Sequence, residues 1–438
     1  MSKEIILKKV FIDQFDALEK QLNGQSSKPI HSIRKEALAD FSKLGIPTKK
    51  NEQYKYTSLN TLVSSEFGTP EKVEQKDIDH LKTELKIEED VHKIILINGQ
   101  FINELSHFGE NLEVRSLAEC ITQEHPAVMQ NLSAENPDKD AFRALNTAFI
   151  RDGVFIHIKK GQNITKPVLI KNIAFNQKRN TIINTRNLFL LEESSSVKII
   201  QESGKKEAND YRVFLNTAND CIVGKNAFLH GYKVQDDLES TVKINSTWIR
   251  QARDSNYKQV TVTLNGGLVR NNVHVQLQGE NAHTELNGVW VIDGIQHVDN
   301  HLVIDHQVPR CESNQLYKGI MDDKSSGVFS GRVIVRQDAQ QTNAYQTNNN
   351  ILLGDSATID TMPQLEIFAD DVKCSHGATT GQLDEEQLFY LRSRGLGLKD
   401  AKALLLNAFA NEVVDKIEID YIKNRLQKAI EGKLFKHL

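Results

Sequence analysis

The spacing of hydrophobic residues changes character near Gly153. Before that point apolar residues recur every three or four positions, which is the spacing of one buried helix face. The spacing predicts helices over residues 5–22, 30–44, 117–132 and 140–149. Pro126 predicts a break in the third helix, because proline lacks the amide hydrogen that a helix interior uses. A short apolar run over residues 93–98 predicts a strand.

After Gly153, short runs of alternating apolar and polar residues follow one another for more than two hundred positions. Asparagine, glycine, aspartate and serine separate these runs, as in Asn265-Gly266-Gly267 and Asp293-Gly294. The pattern is typical of strands joined by turns. Two architectures satisfy it, a sandwich or barrel and a parallel β-solenoid. The length of the region and its turn composition favour the solenoid.

Helical spacing returns at the C-terminal end, over residues 384–396, 398–417 and 421–433. Asp384 is placed to cap the first of these helices, with Gln387 as its capping-box partner. The second helix carries an apolar face that includes Leu405, Phe409 and Val413. Such a face usually packs in a core. Because these helices are short and terminal, we also expect the face to dock a partner protein.

Length and charge narrow the class of protein. The chain has 438 residues, which exceeds one compact core and indicates two or three structural units. A net charge of −4 argues against broad binding to nucleic acid. No secretory signal, no membrane-spanning run and no CxxC pair is present in the sequence, so a cytoplasmic protein with reduced thiols is expected. No phosphate-binding GxxxxGK[ST] motif occurs, so any ATP hydrolysis is expected from a partner.

Cys374 and His376 are the strongest candidates for chemistry. Two residues apart on an extended strand, they point to the same face. A thiolate and an imidazole suit zinc, iron or copper, but two ligands leave a tetrahedral site incomplete. Another group, for example from a second chain, would have to complete it. Lys373 and His376 are expected to favour the thiolate, and Asp370 and Asp371 to cap the same turn.

Other histidines and cysteines are weaker candidates. On a predicted strand, His297 and His301 would face the same side and His306 the opposite side. Hydrogen-bonded structural histidines are favoured there over a metal site. The remaining cysteines are interpreted as buried small side chains (Cys120, Cys221) and a turn thiol (Cys311).

Several segments resemble the SufB/SufD family of iron–sulfur cluster assembly proteins. The most specific one covers residues 369–395 (ADDVKCSHGATTGQLDEEQLFYLRSRG). Residues 313–319, 337–354 and 45–57 also resemble the family, with Tyr54 where the family commonly has tryptophan. The segment Lys373-Cys374-Ser375-His376-Gly377 has the SufD form. SufB has glutamate after the matching histidine, and a cysteine at the position of Asn348.

The resemblance implies a mainly β fold: a right-handed parallel β-helix flanked by helical domains. The boundaries expected are an N-terminal helical domain over residues 1–90, a lead-in over 91–150, the β-helix over 151–381 and a C-terminal helical domain over 382–438. It also implies a non-catalytic scaffold that pairs with a SufB homologue through the β-helices. Each C-terminal domain would dock a SufC ATPase.

The resemblance further implies that Cys374 and His376 lie at the seam with SufB. There they would help to build a transient iron–sulfur cluster as iron or sulfur ligands, with no permanently bound cofactor. A homodimer of the isolated chain is a further possibility. Two alternatives stay open at this point: a β-helix polysaccharide lyase, and a passive scaffold without metal contact.

Overall fold

A computed structural model describes residues 11, 12, 15, 28–85, 90–133, 140–205 and 210–437. Most of the helix predicted over residues 5–22 lies outside these residues. Phe11, Ile12 and Phe15 are described, and all three are helical. The Phe11 and Phe15 side chains are buried against Phe41 and Phe149. The N-terminal helical segment is therefore anchored in a core of aromatic residues.

The other predicted helices are confirmed within one to three residues at most ends. In the described part of the chain, the helices are α1 (Pro29–Leu44), α2 (Asn60–Val63), α3 (Gln75–Glu84), α4 (Leu117–Thr122), α5 (Pro126–Leu132), α6 (Ala141–Ala148), α7 (Glu385–Ser393), α8 (Leu398–Val414) and α9 (Asp420–His437), with 3-10 turns at Glu52–Tyr54 and Asn103–Leu105. Pro126 opens α5, where its missing amide hydrogen costs nothing. Asp384 caps α7 by accepting hydrogen bonds from the backbone of Glu386 (2.9 Å) and Gln387 (3.2 Å).

Strands make up the middle of the chain. They are β1 (His92–Ile97), β2 (Gln100–Phe101), β3 (Glu113–Ser116), β4 (Val154–Ile158), β5 (Asn163–Ala174), β6 (Thr181–Leu191), β7 (Ser196–Lys205), β8 (Val213–Val223), β9 (Phe228–Asp236), β10 (Thr241–Gln251), β11 (Asn256–Asn265), β12 (Leu268–Leu277), β13 (His283–Ile292), β14 (His297–His306), β15 (Glu312–Met321), β16 (Ser326–Val335), β17 (Thr342–Leu352), β18 (Thr358–Ile367) and β19 (Val372–Gly381).

The strands form two parallel sheets that the chain visits in turn. From β4 onward each strand pairs with the strand two places along. The even strands from β4 to β18 join β3 in a nine-stranded sheet, and the odd strands from β5 to β19 join β1 and β2 in a ten-stranded sheet. Antiparallel pairs occur at the start of the solenoid, between β1 and β2 and between β3 and β4. This connectivity is a parallel β-solenoid, which confirms the favoured alternative and excludes the sandwich. The domain boundaries themselves stay predictions.

Left-handed residues at one corner keep the coils in register. In six successive turns from the nine-stranded to the ten-stranded sheet, one residue has φ between 54° and 60°: Ser194, Asn226, Asp254, Asn281, Arg310 and Gln341. The amide of each of these residues except Asn281 donates a hydrogen bond to a carbonyl oxygen of the next coil, at 2.6 to 3.0 Å. Asparagine and aspartate tolerate this conformation better than most residues. The Asn- and Asp-rich turns of the sequence therefore mark the stacking corners.

The N-terminal helices lie on the outer face of the nine-stranded sheet and are held there by buried charges. Asp220 binds Arg143 (2.9 Å) and Arg186 (2.6 Å), and all three side chains are buried. Burial alone would raise the pKa of Asp220, but the two arginines lower it below its ordinary value. A buried pair of this kind costs several kcal/mol to break. The charges therefore fix where the helical domain sits.

A second polar contact joins the segment after the 3-10 turn Glu52–Tyr54 to the sheet. Thr57 Oγ1 donates to Asp299 Oδ2 (2.5 Å) and lies 3.0 Å from His297 Nε2. Arg270 forms an ion pair with Asp299 and stacks on the Tyr54 ring, 3.8 Å from its centroid. The hydroxyl of Thr57 thus bridges two strand residues, and its segment cannot shift without exposing a buried carboxylate.

The C-terminal helices cover the outer face of the other sheet. Leu406, Ala410 and Val413 of α8 pack in one cluster with Val289 and Ile320. Both sheets therefore carry helices on part of their outer faces, and the lumen between them holds a core of its own.

We predict that Thr57→Val weakens the docking of the N-terminal segment. The substitution keeps the side-chain volume but removes the hydroxyl that donates to Asp299 and contacts His297. Loss of a buried hydrogen-bond partner costs about 1–3 kcal/mol. The measurement is urea unfolding followed by tryptophan fluorescence. Thr61→Val, at an exposed position of α2, is the control. Equal unfolding midpoints for the two variants would contradict the prediction.

Candidate functional site

The solenoid ends in an open edge formed by its last two strands. Within the described residues, β19 pairs only with β17 and β18 only with β16, so each has one edge without a neighbour. The residues of β19 are exposed apart from Val372 and Cys374, which are half-buried. Unpaired amide and carbonyl groups on a strand edge form a template for pairing with another chain.

Cys374 and His376 both face the lumen at this open end. Cys374 stands beside Ala344 in the parallel register, and His376 beside Gln346. Ala344 and Gln346 are buried inward-facing residues of β17, and side chains in register share a face of the sheet. The strand therefore brings the two residues to one face, as their spacing predicts.

Gln346 links His376 to the interior of the solenoid. Its Nε2 donates to Gln315 Oε1 on the preceding coil (3.2 Å). Its Oε1 is buried and has no hydrogen-bond partner in the described part of the chain. An imidazole N–H beside it is a suitable donor. Sequence reasoning missed Gln346, since only the strand register reveals that it stands next to His376.

The Cys374 thiol lies in an apolar setting that disfavours its charge. It packs with Leu365 and Val372 against Val335 and Ala344. Burial raises its pKa above the ordinary value, and a backbone hydrogen bond with Ala344 offsets only part of this. The expectation that Lys373 and His376 favour the thiolate is therefore wrong. Lys373 is exposed on the opposite face of the strand, so its ammonium does not face the sulfur.

The backbone of Asp371, rather than a carboxylate, forms the turn before the strand. The Asp371 amide donates to Gln340 Oε1 (2.9 Å), and its carbonyl accepts from the Gln341 amide (2.6 Å). The side chains of Asp370 and Asp371 are exposed. Nowhere in the described ranges do three or more His, Cys, Asp or Glu residues form a group that could hold a metal ion. Cys374 and His376 thus remain a pair that needs ligands from elsewhere.

The three clustered histidines do not converge. His297 and His301 lie on the outer face of the nine-stranded sheet, where His297 contacts Thr57 and His301 borders a surface pocket. His306 faces the lumen, lies 2.9 Å from Ser313 Oγ, and has its pKa lowered to about 4 by burial. This confirms the opposite parity of His306. The interpretation of His297 and His306 as structural residues is supported by these contacts.

The apolar face predicted on α8 is largely used inside the chain. Val413 is fully buried, so it is not part of an exposed docking face. Leu405 is half-buried, and so is Phe409, whose ring centroid lies 4.2 Å from Lys318 Nζ. Exposed apolar side chains occur instead at Phe389 and Tyr390 of α7 (74% and 57% exposed) and at Leu404. The sequence signal for this exposed surface was the pair of adjacent aromatic residues in an otherwise polar helix. The sequence analysis did not use that signal.

Cys120 and Cys221 are buried, as interpreted from the sequence, and Cys311, interpreted as a turn thiol, is buried as well. Cys120, Cys221 and Cys311 are free thiols with at most 3% exposure, and burial raises the pKa of each. Cys374 is the half-buried one.

Comparison with known proteins agrees with this architecture. The family model described as "SUF system FeS cluster assembly, SufBD core domain" matches residues 174–409, and "SufBD protein N-terminal region" matches residues 6–170. An iron–sulfur cluster assembly SufBD family protein of Synechocystis is 30% identical, over 95% of this chain and 94% of its own length.

Two relatives carry the name SufD. The iron–sulfur cluster assembly protein SufD of Escherichia coli is 31% identical over 91% of each chain. The SufD protein of Bacillus subtilis is 28% identical over 68% of each chain.

The chain thus combines a two-sheet parallel solenoid, helices at both ends and a Cys-x-His strand at the open edge. The chain belongs to the SufB/SufD family of iron–sulfur cluster assembly proteins. Among the described helices none is long and apolar enough to cross a membrane.

We predict that iodoacetamide modifies Cys374 alone in the native protein. The thiolate is the reacting form, and a raised pKa means that less of it is present at a given pH. The alkylation rate should therefore keep rising as the pH passes 9. Mass spectrometry of digested samples measures the alkylation rate at each cysteine. The Cys374→Ser variant is the control and should stay unmodified. A rate that levels off below pH 8, or equal labelling of Cys311, would refute the prediction.

Proposed function

We propose that this chain is the SufD-type scaffold subunit of an iron–sulfur cluster assembly complex. It pairs with a SufB homologue through the open edge of the solenoid, and Cys374 and His376 contribute ligands at the seam. The C-terminal helices dock a SufC ATPase. The observation that carries the proposal is that both side chains face the lumen at the end of the solenoid, where one edge of β19 has no partner strand among the described residues.

The open edge favours a partner with the same fold. A second solenoid end supplies unpaired strand edges of the same spacing, so backbone hydrogen bonds can continue across the seam. Exposed apolar side chains lie close to this edge in sequence or register, namely Tyr345, Ile367 and Phe368 (43%, 40% and 60% exposed). Their burial would add hydrophobic stabilisation. A second copy of this chain offers the same edge, so a homodimer of the isolated chain stays a prediction.

The two ligands suit iron and sulfide as cargo rather than as a resident cofactor. Neutral imidazole binds iron directly, and Gln346 Oε1 can hold the opposite ring nitrogen as the donor. The Cys374 thiol must lose its proton to bind a metal. Because burial raises the pKa of this thiol, the proton is lost when a metal takes its place. Binding is therefore reversible by protonation, which fits a site that passes its cluster on. The partner chain has to complete the coordination.

Family membership removes the basis for the polysaccharide lyase alternative. The cluster-yield experiment described below tests the other alternative, a passive scaffold without metal contact. The cytoplasmic location expected from the sequence stays a prediction.

We predict that the double substitution Cys374→Ala and His376→Ala abolishes most cluster formation without dissociating the complex. The chain is reconstituted with SufB and SufC homologues under anaerobic conditions, and cluster yield is read from visible absorption and iron content. Ser375→Ala, on the opposite face of β19, is the matched control and should retain the full yield. An undiminished yield from the double variant would leave the passive scaffold as the correct interpretation.

We predict that Phe389→Ser combined with Leu404→Ser weakens ATPase docking at least tenfold. Exposed aromatic and aliphatic side chains at the centre of an interface contribute most of its binding energy. The affinity for a SufC homologue is measured by isothermal titration. Phe368→Ser, an exposed apolar site at the other surface, is the control and should leave that affinity unchanged. An unaltered affinity in the double variant would place the docking surface elsewhere.

A further inference from the structure

A lysine without a carboxylate partner lies inside the solenoid. Lys233 of β9 faces the lumen and is 6% exposed. Its Nζ donates to Thr247 Oγ1 at 2.6 Å. Among the described residues this is its only hydrogen bond, and no carboxylate oxygen lies within 4 Å. Lys243, also inside the lumen, differs: it forms an ion pair with Asp237 and donates to the Ser203 carbonyl oxygen (3.0 Å).

Lys233 borders a small polar cavity. Its volume is about 30 Å³, which accommodates one water-sized particle. Amide and hydroxyl side chains line it, including Asn187, Gln201, Thr217 and Asn245. Leu96, Ile170 and Glu202 complete the lining, and the Glu202 carboxylate is paired with Lys171 and Arg425. Thr247 Oγ1 accepts hydrogen bonds from Lys233 and from Asn219 (3.3 Å), so its own hydrogen can be donated elsewhere. The primary amides each have a second N–H to offer.

The charge of Lys233 is not balanced by its neighbours. Burial lowers its pKa to about 8, so the ammonium form still predominates at neutral pH. After burial, the two groups that act on the pKa of Lys233 are the Cys221 thiol, which raises it, and the Lys243 ammonium, which lowers it. Burial raises the pKa of that thiol to about 12, so it carries no charge. A buried cation is costly without a counter-ion, and an anion in the cavity would supply one.

The cavity adjoins a groove on the outer side of the sheet. Asn172, Glu202, Ser203 and Val234 line both this cavity and the larger groove, whose volume is about 330 Å³. The groove lies on the outer side of the ten-stranded sheet beneath α9, beside Arg425. The cavity and the groove therefore share one wall.

We propose that the cavity binds one small monovalent inorganic anion of halide size, with Lys233 as its charge partner. The small cavity favours a small ion, and the amide and hydroxyl donors suit an acceptor-only ligand. The site is separate from the Cys374 and His376 pair and does not depend on the function proposed above.

Bromide is the probe. Crystals of the whole chain soaked in sodium bromide should show an anomalous peak within hydrogen-bonding distance of Lys233 Nζ. In solution, sodium bromide should raise the melting temperature by about 2 °C or more relative to sodium gluconate at equal ionic strength. Lys233→Met should lose this difference, and Lys225→Met, at an exposed turn, should keep it.

Three results would overturn the proposal. The first is the absence of a bromide peak at Lys233 in the wild-type crystal. This result does not depend on whether the Lys233→Met variant folds. Another is a peak without any melting difference between bromide and gluconate, which would mean binding at crystal concentration only. The third is an equal bromide effect in folded Lys233→Met, which would assign the stabilisation to other sites.

Discussion

Parallel strand pairing between successive coils is the constraint on which the structure depends. Each strand from β6 to β17 pairs with the strand two places before it and the strand two places after it. Interior coils are therefore complete, whereas the last coil is not. The incompleteness at β18 and β19 is a property of the architecture, since a solenoid of any length must end. The Cys-x-His pair is placed at that end, where a ligand set can be completed by a neighbour.

Helices cover both outer faces of the solenoid, and each face combines apolar packing with ion pairs. The N-terminal helices pack in an apolar cluster that includes Phe41, Phe142 and Phe214, beside the buried ion pairs of Asp220 and Asp299. The C-terminal helices pack on Val289 and Ile320, and they also form the ion pairs Lys416–Glu285 and Arg425–Glu202 with the sheet. Apolar packing is not directional, whereas an ion pair demands one geometry because a displaced partner leaves a charge unpaired. Each set of helices is therefore held by burial and positioned by charge.

The candidate site shows where sequence reasoning succeeds and where it stops. The common face of Cys374 and His376 followed from the period of two in a strand, and the opposite side of His306 followed from the same rule. The protonation of Cys374 did not follow. Neighbours in sequence such as Lys373 point away in a strand, and residues from other coils, such as Val335 and Ala344, set the pKa instead. Val413 was misjudged for the same reason, because the cluster that buries it includes residues from distant strands, such as Val289 and Ile320.

The sequence by itself determined the periodic features: the helices and their caps, the strands, the Asn- and Asp-rich corners, and the family that the Cys-x-His motif indicates. These features depend on residues within a few positions of one another. Tertiary structure alone decided which residues stand together across coils, as Gln346 does beside His376 and Thr247 beside Lys233. It also decided which apolar residues stay exposed. The physical reason is that burial and electrostatics act through space, and a solenoid brings together residues about thirty positions apart in the chain.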